Sequence, residues 1–183
     1  MTSVSNLVVP ERLDSRSMAV NTGIVLGASL LIAVAAQIAI PFPLVPLTMQ
    51  PFALLLIGGV LGPRRAALSA TLYLLEGAAG LPVFAEMHAG AATLIGPTAG
   101  FLYAFPLAAM VAGVRVPGVW SRFGVMLAAV AALYIGGWSW LVSAWHLSPS
   151  AALASAVTPF IAADGVKAAI AAVLVETIRR QRD

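Results

Sequence analysis

The chain contains no cysteine, which excludes disulfides, thiolate-bound metals and thiol nucleophiles and leaves the redox compartment open. Lysine occurs once, at position 167, and histidine twice, at 88 and 146. No H-x-x-x-H or H-E-x-x-H spacing is present, so both histidines read as loop residues and no metal site is expected. The G-x-S-x-G nucleophile element is missing, and Gly165-Val166-Lys167 lacks the glycine spacing of a Walker A lysine. The chain therefore cannot hydrolyse ATP through a P-loop, and neither an enzyme nor a cofactor is expected. Charge is scarce as well. Only 9% of residues are Asp, Glu, Lys or Arg, against roughly 25% in a soluble domain.

What fills the chain instead is apolar: 61% of its 183 residues are hydrophobic. This is the composition of an integral membrane protein. The isoelectric point near 10 rests on a net charge of only +3, so it speaks of topology and not of nucleic acid. Residues 1–17 lack the layout of a signal peptide and read as a cytoplasmic arm. Residues 18–183 read as a single membrane domain.

A first apolar run, Met18 to Ile40, is long enough to span about 30 Å of hydrocarbon. Prolines at 41, 43, 46 and 51 forbid a regular helix after it. Uncharged irregular backbone cannot face lipid, so this segment should pack in protein or line a cavity. Phe52–Leu61 and Ala66–Leu75 follow as short helices, roughly 15–20 Å each, joined by the turn Gly62-Pro63-Arg64-Arg65. They leave depth to be filled by Ile40–Pro51 on one side and Glu76–Pro97 on the other. A fourth helix is expected from Thr98, a candidate N-cap, to about Val114. A fifth covers about Val119 to Trp145, where Trp138, Trp140 and Trp145 suggest an interfacial belt. The sixth covers about Ala151 to Ile178, kinked at Pro159.

The expected architecture is thus all-α, with six transmembrane helices and long outer loops 1–2 and 3–4 forming a lidded pocket. The arginines fix its orientation. They precede helix one, lie between helices two and three and between four and five, and follow helix six. The opposite loops carry no Lys or Arg, so both termini are expected on the cytoplasmic side of a cytoplasmic membrane.

Within the last helix, Asp164 and Lys167 share one face near mid-depth. Each charge costs about 2.5–3.5 kcal/mol there on insertion scales, so such groups are functional candidates. A purely structural ion pair is the competing reading. Thr48, Gln50, Tyr73 and Glu76 fall on the pocket side of the hairpin, as the few convergent polar groups an apolar ligand site uses. Small residues recur at four-residue spacing in helix one, Gly23 with Gly27 and Ser29 with Ala33. Such faces suit either internal packing or a docking partner.

These residues also form a recognisable series. Ala36-Gln37-Ile38-x-Ile40-Pro41, Val45-Pro46-Leu47-Thr48-Met49-Gln50 and Leu72-Tyr73-Leu74-Leu75-Glu76-Gly77 come first. Gly80-Leu81-Pro82-Val83-Phe84-Ala85, Gly96-Pro97-Thr98-Ala99-Gly100 and Asp164-x-x-Lys167 complete it. Over roughly residues 20 to 178 the chain resembles BioY, the biotin-binding S components of energy-coupling factor vitamin transporters.

The resemblance implies capture of biotin from outside, with a membrane coupling subunit and two ATPase subunits as partners. It implies that Asp164 and Lys167 hold polar groups of the vitamin and that Leu81–Ala85, Phe84 included, packs on its ring and tail. The amides where the Thr98 helix starts would meet its carboxylate, as a helix N-terminus favours anions. Ala99 stands where the family usually has glycine, and Glu86-Met87-His88 stands where small or amide residues are common. The family's docking motif is Ala-x-x-x-Ala, for which the nearest match is Ser29-x-x-x-Ala33. Two readings compete with this one: a proton-coupled carrier, and an intramembrane enzyme using Asp164 and Lys167.

Overall fold

The computed structural model describes residues 15–181. Seven helices and one short ribbon follow in order: α1 (Ser15–Gln37), β1 (Ala39–Ile40), β2 (Leu47–Thr48), α2 (Gln50–Leu61), α3 (Pro63–Ala78), α4 (Ala99–Ala112), α5 (Val119–Ser143), α6 (Pro149–Ala156) and α7 (Ile161–Arg180). Single 3₁₀ turns lie at Ala85–Met87, Ala91–Ile95 and Thr158–Phe160. The arm expected over residues 1–17 lies outside the described residues, except that 15–17 open α1.

Three stretches are long and apolar enough to cross a membrane: Met18–Gln37, Val119–Ser143 and the interrupted run Pro149–Arg180. Their outward faces carry Leu30, Val34, Ile135 and Val173, all more than half exposed. Large apolar side chains in that position suit lipid. The short helices obey the expected arithmetic. At 1.5 Å per residue, α2 and α3 reach about 18 and 24 Å, less than the hydrocarbon thickness. Gly62 makes the turn between them at φ +83°, a conformation glycine adopts without steric cost. Pro63 then starts α3 where its missing N–H is no loss.

Two expectations need correction. The chain is not wholly helical. The proline segment is a small hairpin in which Ala39 pairs antiparallel with Thr48 and Ile40 with Leu47; Pro41, Pro43 and Pro46 occupy the connecting loop, where no ladder donor is needed, and Pro51 lies in the first turn of α2. The last helix is also broken and not merely kinked. The Ser148 hydroxyl caps α6 by accepting from the Ala151 amide at 3.3 Å, and the helical path stops at Val157. It resumes as α7 only after the turn containing Pro159.

Close backbone contact holds the bundle together. A Cβ added at Gly100 would lie 2.4 Å from the Gly136 carbonyl oxygen, and one at Gly58 would lie 2.6 Å from that of Ala109. Small residues thus bring α4 against α5 and α2 against α4, the packing mode that replaces the hydrophobic effect inside lipid.

The basic groups collect at the far end of α7. Arg122 of α5 donates through Nε and Nη2 to Glu176 at 3.1 and 3.0 Å, and through Nη2 to the Val116 carbonyl at 3.0 Å. Arg179 donates to the Gly59 carbonyl at 2.7 Å. This end lies about 18 Å along α7 from Asp164.

Gly100→Ala should lower stability by about 1–3 kcal/mol, because the obstructing atom is backbone and cannot rotate away. Gly124→Ala, whose added Cβ meets nothing within 4 Å, should be neutral or stabilising by up to about 1 kcal/mol. Unfolding of the purified protein in micelles measures both.

Candidate functional site

Pro159 prepares the site. By interrupting the helix it creates a new N-terminus at Ile161, and Asp164 falls in the first turn of α7, where the helix dipole favours an anion. Lys167 follows on the same face. Its Nζ donates to Asp164 Oδ1 at 2.8 Å and to the Thr48 carbonyl at 2.7 Å. Tyr134 of α5 donates to the other carboxylate oxygen at 2.8 Å. Both charges are buried, Asp164 to 3% exposure and Lys167 to 9%. A buried pair is tolerable when remaining donors and acceptors are also satisfied, and here a tyrosine and a ribbon carbonyl complete it.

A second polar relay starts on the same ribbon. The Thr48 hydroxyl donates to Gln50 Oε1 at 3.1 Å, Gln50 Nε2 donates to the Tyr73 oxygen at 2.7 Å, and the Tyr73 hydroxyl donates to the Val83 carbonyl at 3.1 Å. It runs from the proline hairpin through α2 and α3 to the glycine-rich loop. The Tyr73 ring lies edge-on to Phe84, with centroids 5.5 Å apart, and is stacked with Phe105 at 6.1 Å. Phe84 in turn covers Gly77, where a Cβ would come within 2.1 Å of its ring. That contact requires glycine at 77.

Between these relays lies a cavity of about 480 Å³, within the range of small-ligand sites. The proline hairpin from Phe42 to Thr48 and the loop from Phe84 to Thr98 contribute most of its wall. Phe101, Phe105, Leu133, Tyr134 and Phe160 add an apolar and aromatic lining, and Asp164 presents its carboxylate. Phe42 meets Phe160 edge-on at 5.6 Å, so the hairpin and the turn before α7 close on each other.

Of the residues expected to touch a ligand, Thr48, Gln50, Phe84, Glu86, Thr98 and Asp164 line this cavity. Tyr73 and Lys167 do not; each sits behind the wall and holds a lining residue in place. Glu76 turns away and accepts a hydrogen bond from Ser29 of α1. Thr98 occupies the N-cap position of α4 but makes no side-chain cap bond. The amides of Ala99 and Phe101 already donate to the Gly96 and Thr98 carbonyls, so the anion site expected there is partly filled.

The docking residues divide. Ser29 and Ala33 are buried, while Gly23 and Gly27 are exposed, with open space above both. The Ser29–Ala33 pair therefore serves internal packing, because the Ser29 hydroxyl is committed to Glu76. Among the described residues, no group of His, Asp and Glu is placed to hold a metal ion.

Sequence reasoning missed Tyr134 and Gln37. Tyr134 lies in the middle of an apolar helix, and Gln37 ends another. Each carries a polar group that must find a partner when buried, and that need was the available signal. Gln37 bonds the turn around Phe84 to Met87, where Glu86 and Met87 adopt φ of 58° and 61°. Non-glycine residues reach that left-handed region only at a cost of roughly 1–2 kcal/mol.

The BioY family model matches residues 9–183. A probable biotin transporter BioY of Pyrococcus horikoshii is 40% identical over 149 residues, 81% of this chain and 90% of that protein. A biotin transporter BioY of Rhodobacter capsulatus is 36% identical over 171 residues, 85% of this chain and 90% of that one. The biotin transporter BioY2 of Lactococcus lactis is 36% identical over 157 residues, 80% and 82% of the two chains. The fold is similar to a crystal structure of the S-component for biotin from an ECF-type ABC transporter. Its TM-score is 0.80 at 23% identity, and the match covers 91% of this chain and 94% of that one.

Lys167→Met should cost about 3–5 kcal/mol of stability, the usual penalty for stranding a buried charge. Adding Asp164→Asn should restore most of it. Reversible unfolding of the two variants reads the coupling, and a double variant no more stable than the single one would show that the two groups do not act as a pair.

Proposed function

Because the chain belongs to the BioY family, we propose that it captures biotin with high affinity for uptake across the cytoplasmic membrane, as the substrate-specific subunit of an energy-coupling factor transporter. The observation that carries this reading is the apolar, aromatic cavity with one buried, fully oriented carboxylate on its wall. Biotin presents a ureido ring with two N–H donors and a carbonyl, an apolar thioether ring and an acidic tail. A carboxylate has about four acceptor positions. Lys167 and Tyr134 each use one at Asp164, which leaves two for the two ureido N–H groups. Phe84, Phe101 and Phe105 suit the rings. Thr98 and His88 stand along the loop that would receive the tail, while Glu86 would repel an acid brought close to it.

In this reading Lys167 acts by holding. It balances Asp164, fixes its rotamer and anchors the ribbon that carries Thr48 and Gln50. Binding, not catalysis, is the activity, and the relatives are named transporters. Counting α6 with α7 as one interrupted span gives six crossings within one membrane domain, residues 18–183. The positive-inside rule puts the arginine end and both termini, with the arm 1–17, in the cytoplasm. The cavity then opens outward, with the proline hairpin and the glycine-rich loop as its lid. Having no Walker A motif of its own, the chain would depend on a membrane coupling subunit and two ATPase subunits. The exposed Gly23–Gly27 face of α1 offers a close approach to the former.

Titration calorimetry of the purified protein with biotin, thiamine and riboflavin tests the assignment. Biotin alone should bind tightly. Tyr134→Phe should weaken it about tenfold, the loss of one hydrogen bond to a charged group, and Asp164→Asn should weaken it further. Equal binding of all three vitamins, or wild-type affinity in both variants, would overturn the reading.

A further inference from the structure

Gln37 is the last residue of α1, and its amide joins that helix to a different part of the fold: Nε2 donates to the Ala33 carbonyl of α1 at 3.2 Å and also reaches the loop. Nε2 donates to the Phe84 carbonyl at 3.0 Å, and Oε1 accepts from the Met87 amide at 3.1 Å. One side chain thus satisfies a donor and an acceptor of the same five-residue turn, as a neighbouring strand would. Within the turn, Phe84 N–H donates to the His88 carbonyl and His88 N–H to the Ala85 carbonyl, both at 3.2 Å, and the His88 ring Nδ1 lies 2.9 Å from that same Ala85 carbonyl.

Between those bonds stand Glu86 and Met87, two consecutive non-glycine residues in the left-handed region. Side chains resist that conformation, so something outside the turn must hold it. No other side chain among the described residues is bonded to both of its sides. The turn also supplies Phe84, Ala85, Glu86 and His88 to the cavity wall.

We propose that Gln37 is a latch: its amide clamps the 84–88 turn in its strained form, so that α1 holds this wall of the cavity closed over the ligand. Gln37 is a positioning residue, since it does not line the cavity. The turn relaxes when the clamp is lost, and Glu86, His88 and the backbone beside Phe84 leave their places. Retention of the ligand then falls while its capture does not. Because α1 also carries the exposed Gly23–Gly27 face, a displacement of α1 would reach the cavity through this one side chain. The role in ligand retention rests on the biotin reading; the clamp itself does not.

The test uses the full chain in lipid nanodiscs and two readouts. Gln37→Leu should raise the biotin dissociation rate about tenfold through the loss of two hydrogen bonds, with the association rate within about twofold of the parent. Gln37→Glu, which keeps the acceptor for Met87, should give an intermediate rate. The chain has no cysteine, so a spin label at Met87→Cys reports the turn without background. In ligand-free protein its mobility should rise with Gln37→Leu, while a control label at Trp120→Cys on α5 stays unchanged. Overturning results are a dissociation rate and label mobility both within twofold of the parent, or equal damage by both substitutions with a matching fall in melting temperature. If the parent does not bind biotin, the functional reading fails, and the label comparison still decides the clamp.

Discussion

A carboxylate and an ammonium group inside an apolar helix are tolerable when each answers the other and further hydrogen bonds support both. The fold is arranged around meeting that condition for Asp164 and Lys167. Pro159 ends one helical segment so that Asp164 enters the favourable first turn of the next. Tyr134 reaches across from α5 to the second oxygen, and the proline hairpin brings the Thr48 carbonyl to the ammonium. The irregular segment between α1 and α2 is therefore not a loose connection. Its second half, residues 45–50, packs into the protein and supplies the acceptor that the cation needs, while residues 40–43 stay exposed.

The same ribbon serves the other side of the cavity. Thr48 starts the relay through Gln50 and Tyr73 to Val83, while its carbonyl serves Lys167. One short strand thus couples the charged pair to the glycine-rich loop. This explains why Lys167 and Tyr73, both plausible contact residues by type and position, stand behind the wall. The polar ends of Lys167 and Tyr73 are committed to Asp164, the Thr48 carbonyl, Gln50 and the Val83 carbonyl. The cavity side chains are held by neighbours that are themselves bonded, which lowers the ordering cost of binding.

Much of this was legible beforehand, for physical reasons that can be named. Prolines at 41, 43 and 46 in a charge-free stretch exclude a regular helix there, and two helices too short to cross must leave space at one end. The Asp164–Lys167 pair announced itself by cost. What escaped was whatever depends on which way a residue faces. Ser29 and Ala33 suited either internal packing or docking by spacing, and in the fold both are buried, with the Ser29 hydroxyl on Glu76. Thr98 had the type and place of a cap but makes no cap bond. Tyr134 and Gln37 were single polar groups in apolar runs, and their partners lie 30 and about 50 positions away. Sequence spacing along one helix carries no trace of such contacts.

The two ends of α7 obey different rules, and the difference accounts for how a small chain can both hold a site and stay oriented. At the Asp164 end, charges are few, buried and matched one to one, so their geometry is narrow. At the other end, Arg122 and Arg180 converge on Glu176 and Arg179 reaches Gly59, so positive charge is in excess. An excess of one sign is costly to carry through a bilayer, and in the proposed topology it is this end that stays behind. The matched pair adds no net charge and leaves that preference undisturbed. On the proposed reading, orientation comes from unbalanced charge at one end and binding geometry from balanced charge at the other, with about 18 Å of helix between them. Moving either acid toward the wrong end would weaken both properties at once.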